Sequence, residues 1–204
     1  MLKKRGASSA VAQSMFSSSL PNKHKVFISF HHKDESFKND FETWYDDHII
    51  SKSVQNGDID PDNEDEYVKR LIQEDYLSDS SVLVALYGAE THARKHVDWE
   101  ISAALSSKVG GHSGLVVMLL PSFPVAPFNY SGQFDAELLR PYLHERAMAN
   151  IVSGYAKVYF WPGMYPQLPS TPMPDVLHDA FSRRVSHKHL IDNSHSQYKN
   201  NRQV

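Results

Sequence analysis

The chain has 204 residues, of which 41% are hydrophobic, and this length is sufficient for one domain with a substantial core. Its formal net charge of -3 at pH 7 gives no general attraction to nucleic acid or to an anionic membrane, so neither is an expected partner. The lack of cysteine excludes disulfides and thiolate metal ligands, and no segment approaches the roughly 20 apolar residues of a membrane-spanning helix. We therefore expect a cytoplasmic protein.

The first predicted elements follow a Ser/Ala-rich segment, residues 1–22, which we expect to be a disordered leader. Residues 25–30 are nearly all apolar and predict a strand that is buried on both faces. Asp34 stands where it can cap a helix with apolar or aromatic positions at steps of three and four residues. These positions are Phe37, Phe41, Trp44, Tyr45 and His48.

The next elements alternate between strands and helices. Residues 46–63 are rich in turn formers and predict a loop with at most a short edge strand, followed by a helix that ends near Leu77. Two apolar runs, residues 80–87 and 114–120, predict buried strands, and a helix that begins after Arg94 lies between them. Strands separated by helices can run parallel, so the pattern predicts an α/β fold with an open, mainly parallel sheet and helices on both faces.

The last part of the chain has a weaker pattern. Residues 136–149 predict a helix that is interrupted at Pro141, and residues 155–161 predict an edge strand. The spacing of apolar residues over 176–185 predicts a last helix. Residues 187–204 are rich in His, Ser, Asn and Gln, and we expect them to form a disordered polar tail.

Glu100 is the candidate catalytic residue, at the edge of an apolar stripe on the helix after Arg94. We place Asp98 and Glu100 in the first helical turn, where the helix dipole favours anions, and expect Glu100 to be ionised near neutral pH. A sheltered carboxylate can stabilise the oxocarbenium-like transition state of glycosidic cleavage, and the cationic nicotinamide of NAD departs as a neutral group. The alternative is a solvated acid that only complements the helix dipole.

Ser29, Phe30 and His31 end the first strand, at the sheet edge where the Glu100 helix should begin. There Ser29 can contact a ribose or phosphate oxygen, Phe30 can pack on a ring, and His31 can donate a hydrogen bond. The alternative is a buried aromatic and a strand-end serine bonded to the backbone. Two further residues are candidates for support: Trp99 covers a loop or forms an assembly surface, and Arg94 meets a pyrophosphate or lies in a solvated turn.

Other chemistries lack their motifs. His31 with His32, and His92 with His96, have no further ligand at metal spacing, so we expect no metal site and no cofactor. The glycines at 110–114 lack the lysine of a P-loop, and no nucleophile elbow of the Gly-x-Ser-x-Gly type occurs.

Several segments, taken in order, resemble the TIR-like domain of Thoeris antiphage defence proteins, within the wider TIR superfamily. They are KVFISFHH from Lys25, SVLVALYG from Ser81, RKHVDWEI from Arg94 and NIVSGYA from Asn150. The resemblance places a TIR-like domain at 23–186 and implies a flavodoxin-like sheet. It also implies cleavage of NAD as the substrate, with Glu100 catalytic and Ser29, Phe30 and His31 lining the nucleotide pocket.

The resemblance further implies a product and partners. Proteins of this type make a cyclic ADP-ribose isomer that activates a separate effector protein, and many TIR sites are completed by a neighbouring subunit, so we expect a homo-oligomer when the protein is active. The residues leave hydrolysis and cyclisation both open, since one oxocarbenium-like species leads to either outcome. A non-catalytic TIR-type interaction module, which recruits partners through its helices and the 46–63 loop, is the alternative.

Overall fold

A computed structural model describes residues 23–52, 65–107 and 111–203. The strands are β1 His24–Ser29, β2 Ile49–Ser51, β3 Val82–Tyr87, β4 Gly114–Leu119 and β5 Lys157–Phe160. The helices are α1 Glu35–Tyr45, α2 Asp65–Leu71, α3 Lys95–Leu105, α4 Glu145–Val152 and α5 Met173–Ser186. A π-helix, Ile72–Leu77, continues α2 to the end that the sequence predicts.

The five strands form one parallel sheet in the order β2-β1-β3-β4-β5. Alternation along β1 divides the core into two layers: Phe27 packs with α2, α3 and α4, whereas Val26 and Ile28 pack with α1 and α5. The central strands β3 and β4 are buried along their whole length, which requires apolar side chains on both faces. The predicted α/β fold, a flavodoxin/TIR-like open parallel sheet, is confirmed.

The order of the strands determines where a ligand can bind. From β1, the chain first builds β2 on one side and then crosses back to build β3 on the other. In such sheets the crevice outside the carboxyl ends of the two strands at this reversal, here β1 and β3, is the usual ligand site. Ser29 is the last residue of β1 and Tyr87 is the last residue of β3, so the residues that follow them lie at this edge of the sheet.

Helix α3 is buried on all sides. Every residue from Val97 to Leu105 is buried, including Asp98 and Glu100. A helix without an exposed face must be covered by more than the sheet, and here the C-terminal segment provides the additional cover. The indole of Trp99 is only 1% exposed and donates a hydrogen bond to the Tyr198 carbonyl at 2.8 Å.

The prediction that residues 187–204 form a disordered tail is corrected by this packing. Residues 188–190 form a 3-10 helix, and residues 192–202 then run along α3 and α4. The buried guanidinium of Arg146 pairs with Asp98 at 3.2 Å and donates to the carbonyls of Asn193 and His195. Composition indicated disorder because the tail is polar, but its backbone is held by buried charges that belong to two helices distant in sequence.

Other predictions are resolved in detail. The short edge strand is β2, the late edge strand is β5, and the helix predicted over 136–149 is a 3-10 helix over Ala136–Tyr142 followed by α4. Pro141 lies inside the 3-10 helix, where it removes one backbone donor, and the α-helix starts only after it.

The expected leader, residues 1–22, lies outside the described residues, as do residues 53–63 of the 46–63 loop. None of the described helices has the length and apolar character needed to cross a membrane.

Candidate active site

The candidate site centres on a contact between β1 and α3. The Ser29 hydroxyl donates a hydrogen bond to Oε2 of Glu100. Both side chains are buried, at 1% and 8% exposure. Ser29 has the same strand parity as Phe27, so it points to the face that α3 covers. The predicted convergence of the end of β1 with the Glu100 helix is therefore present in the structure.

The expected ionisation of Glu100 is corrected. Burial raises the pKa of Glu100 to about 8, and the hydrogen bond from Ser29 lowers it only in part. The reason lies in the start of α3: the helix begins at Lys95, which leaves Asp98 as the acid of the first turn and puts Glu100 in the second turn. The dipole effect falls off within the first turn, whereas desolvation of the carboxylate does not. Glu100 is thus mainly protonated at neutral pH.

His31 lies close to an ion-pair cluster above this contact. Its ring is 4% exposed, and Nε2 is 3.7 Å from Oε2 of Glu90. Burial, with a smaller effect from Arg94, lowers the pKa of His31 to about 4, so the imidazole is neutral near pH 7. Glu90 itself accepts hydrogen bonds from Lys33 and Arg94. The structure therefore places Arg94 next to His31 and in an ion pair with Glu90, rather than in a solvated turn.

Phe30 and Trp99 lie away from the Ser29–Glu100 contact. Phe30 is partly buried against the layer formed by α1 and α5, on the face of the sheet opposite to Ser29, as expected for the next residue along an extended chain. Trp99 is in the core beneath Tyr198 and not on an exposed assembly surface. A role for Phe30 in the nucleotide pocket stays a prediction.

Asp34 is a buried carboxylate, and the prediction that its side chain caps the first helix is corrected. It occupies the position before α1, but its side chain makes no capping hydrogen bond. It accepts hydrogen bonds instead from Thr91 at 3.3 Å and Ser122 at 3.5 Å, and burial raises its pKa. A Cβ at Gly88 would lie 2.4 Å from Asp34 Oδ2, so any larger residue there would displace the carboxylate from the end of β3.

A buried histidine fixes the start of α3. The pKa of His144 falls to about 3 because the ring is buried, so it is neutral. Its Nε2 is 3.0 Å from the Arg94 carbonyl, an acceptor, which leaves Nδ1 to accept the hydroxyl hydrogen of Tyr87 at 2.7 Å. The network links the end of β3 to the residue before α3. No local pattern in the sequence identifies it, because its members are 50 and 57 residues apart.

Among the described residues no group of three or more His, Asp or Glu side chains is arranged to hold a metal ion. The geometry instead provides a buried carboxyl group, a hydroxyl bonded to it, and a cationic cluster at one end of the crevice.

Comparison with known proteins identifies one family. Residues 27–123 match the family model described as Thoeris protein ThsB, TIR-like domain. The matched region begins within β1, ends just after β4, and contains Ser29, His31, Arg94 and Glu100. Neither the curated proteins nor the solved structures yield a match.

Proposed function

We propose that this chain, whose residues 27–123 match the TIR-like domain of Thoeris protein ThsB, cleaves NAD and releases nicotinamide. This match supports a TIR-type role in antiphage defence. The observation that carries the proposed chemistry is the buried Glu100 carboxyl group, bonded to Ser29 at the carboxyl end of β1. This is the crevice in which open α/β sheets bind their ligands.

Cleavage breaks the bond between the nicotinamide nitrogen and C1′ of the ribose. The electron pair of that bond leaves with nicotinamide, which becomes neutral, and positive charge develops on the ribose. A carboxylate next to this charge stabilises the transition state, and its effect is large in a site from which water is excluded. Glu100 supplies the carboxylate, and Ser29 orients it through the hydroxyl hydrogen bond.

The protonated state of Glu100 in the free protein gives this mechanism a pH dependence. The reactive form is the carboxylate, whose population increases as pH rises toward the pKa of about 8. We expect kcat/KM to rise with pH by up to tenfold per unit below pH 8 and to level off above it, because kcat/KM reports the ionisation of the free enzyme. The positive charge of bound NAD favours the carboxylate, so the midpoint for kcat should lie lower.

The direct test is nicotinamide release from NAD by the purified protein, measured by chromatography at high protein concentration and with extract from phage-infected cells. Glu100→Gln should abolish release, whereas Glu137→Gln, which removes an exposed carboxylate paired with Arg140, should retain it. If wild-type protein releases neither nicotinamide nor an ADP-ribose product, and Glu100→Gln protects cells as well as wild type does, the proposed activity is wrong. A TIR-type interaction module would then be the function.

The product and the partners belong to the same proposal. We infer a cyclic ADP-ribose-type signal that reaches a separate effector protein, with a homo-oligomer as the active form. Mass spectrometry of the reaction separates the outcomes, since hydrolysis adds the mass of one water to the product and ring closure does not. Full specific activity in protein that is monomeric by size-exclusion chromatography would contradict an active oligomer.

A further inference from the structure

Glu90 is the centre of a cluster next to the candidate site that also contains Lys33, Arg94 and His31. It follows β3, and its carboxylate accepts hydrogen bonds from Lys33 Nζ, after β1, and from Arg94 Nη2, before α3. The Lys33 hydrogen bond lowers the pKa of Glu90, so it is an anion at neutral pH. Two cations thus converge on one carboxylate at the carboxyl end of the central strands.

The cluster also holds buried polar nitrogens that it leaves unbonded. His31 Nε2 and Arg94 Nε have no hydrogen-bond partner within the described ranges 23–52, 65–107 and 111–203. The His31 nitrogen points at Glu90, but at 3.7 Å it is too far for a hydrogen bond. Native proteins rarely leave buried polar atoms unsatisfied, and sites for ligands are one of the exceptions.

Charge indicates which ligand would satisfy these nitrogens. Lys33 and Arg94 carry two positive charges, and Glu90 neutralises one of them. A diphosphate has more acceptor oxygens than one carboxylate and carries two negative charges, which matches both cations. The planar guanidinium of Arg94 can bond phosphate oxygens through Nε and Nη2 together, a geometry that the single Nη2 bond to Glu90 does not use.

We propose that Lys33, Arg94 and His31 bind the diphosphate of a dinucleotide, and that Glu90 occupies this position until the ligand displaces it. The inference rests on the proposed function, because the diphosphate is the part of NAD that would place its ribose near Glu100. Glu90 is free to move outward, since its side chain is 25% exposed and Lys33 is 59% exposed. Glu90 therefore acts as a built-in competitor that sets the affinity for the diphosphate.

The test is calorimetric titration of the full chain with ADP, and with adenosine as the control that lacks phosphate. Arg94→Met and Lys33→Met should each weaken ADP binding about tenfold, and Glu90→Gln should tighten it by a similar factor, as expected for charge-assisted hydrogen bonds that are partly exposed to solvent. Adenosine binding should be the same in all variants. Added salt should weaken ADP binding by the wild-type protein.

Asp79→Asn is the matched control. Asp79 also lies between two lysines, Lys25 at 2.5 Å and Lys52 at 3.8 Å, but at the amino-terminal end of β1 and β3, so its removal changes the net charge without touching the cluster. ADP affinity should not change in this variant. Equal tightening of ADP binding by Asp79→Asn and Glu90→Gln would overturn the proposal, because only net charge would then matter. Unchanged ADP affinity in Arg94→Met would also overturn it. Either result leaves nicotinamide release to be judged separately, since the titration needs no cleavage.

Discussion

Replacing Glu100 by glutamine should stabilise the folded protein, and the gain should increase with pH. In the folded protein the pKa of Glu100 is raised from its ordinary value of 4.5 to about 8 because the carboxyl group is buried. Between these values the unfolded chain has lost the proton and the folded chain keeps it. Unfolding therefore releases a proton, and the stability of wild type falls as pH rises through this interval.

The size of the stability difference follows from the interval between the two pKa values of Glu100. Each pH unit contributes about 1.4 kcal/mol, so the raised pKa costs wild type ~3 kcal/mol of unfolding free energy at pH 7. The substituted glutamine does not titrate, and its amide oxygen can accept the same hydrogen bond from Ser29. Between pH 5 and pH 8 the difference in stability between Glu100→Gln and wild type should grow by ~4 kcal/mol, or roughly 10 °C in Tm for a chain of this size.

Urea unfolding of both proteins at several values between pH 5 and pH 8 measures this difference. The comparison at each pH cancels every other titrating group, and Glu137→Gln supplies the control, because the Arg140 hydrogen bond lowers the pKa of Glu137 and removes its titration from this range. A stability difference that stays constant from pH 5 to pH 8 would show that Glu100 is already ionised in the folded protein. The reasoning about its burial, and the pH dependence of kcat/KM that follows from it, would then be refuted.

Three further outcomes are expected. Ser29→Ala removes the hydrogen bond that lowers the Glu100 pKa, so the midpoint of the kcat/KM profile for nicotinamide release should move to higher pH. An unchanged midpoint would contradict an effect of Ser29 on the ionisation of Glu100. Deleting residues 191–204 removes the carbonyls bonded to Arg146, and urea unfolding should show a loss of at least ~3 kcal/mol, unless the tail contributes nothing to the fold. Arg146→Met leaves the Asp98 carboxylate buried without its cation and should lower the free energy of unfolding by ~3–5 kcal/mol. The double variant Arg146→Met, Asp98→Leu should regain part of this stability, and equal losses in the single and double variants would contradict the reasoning.

The sequence predicts the sheet and the central contact because both follow from local patterns. Apolar runs of strand length separated by helices are sufficient to indicate a parallel sheet, and the ends of its strands must lie at one edge. This rule is enough to bring Ser29 toward the helix of Glu100, where the two side chains are bonded. The family resemblance adds the catalytic role of Glu100, which stays a prediction.

The sequence does not predict how Glu100 is buried. Periodicity assigns α3 one apolar face and leaves the other to solvent, but Trp99 and Asp98 on that other face are covered by residues about 100 positions later. The same limit applies to Glu90, whose partner Lys33 is 57 residues away, and to His144. Each of these contacts depends on tertiary packing between segments that carry no signal of their own, and so composition and spacing cannot reveal them.

The C-terminal segment along α3 has a consequence for synthesis of the protein. Residues leave the ribosome in order, so α3 and its sheet are complete long before Tyr198 and Arg202 can contact Asp98 and Ala93. Until residues 192–202 have emerged as well, the helix of Glu100 has one uncovered side.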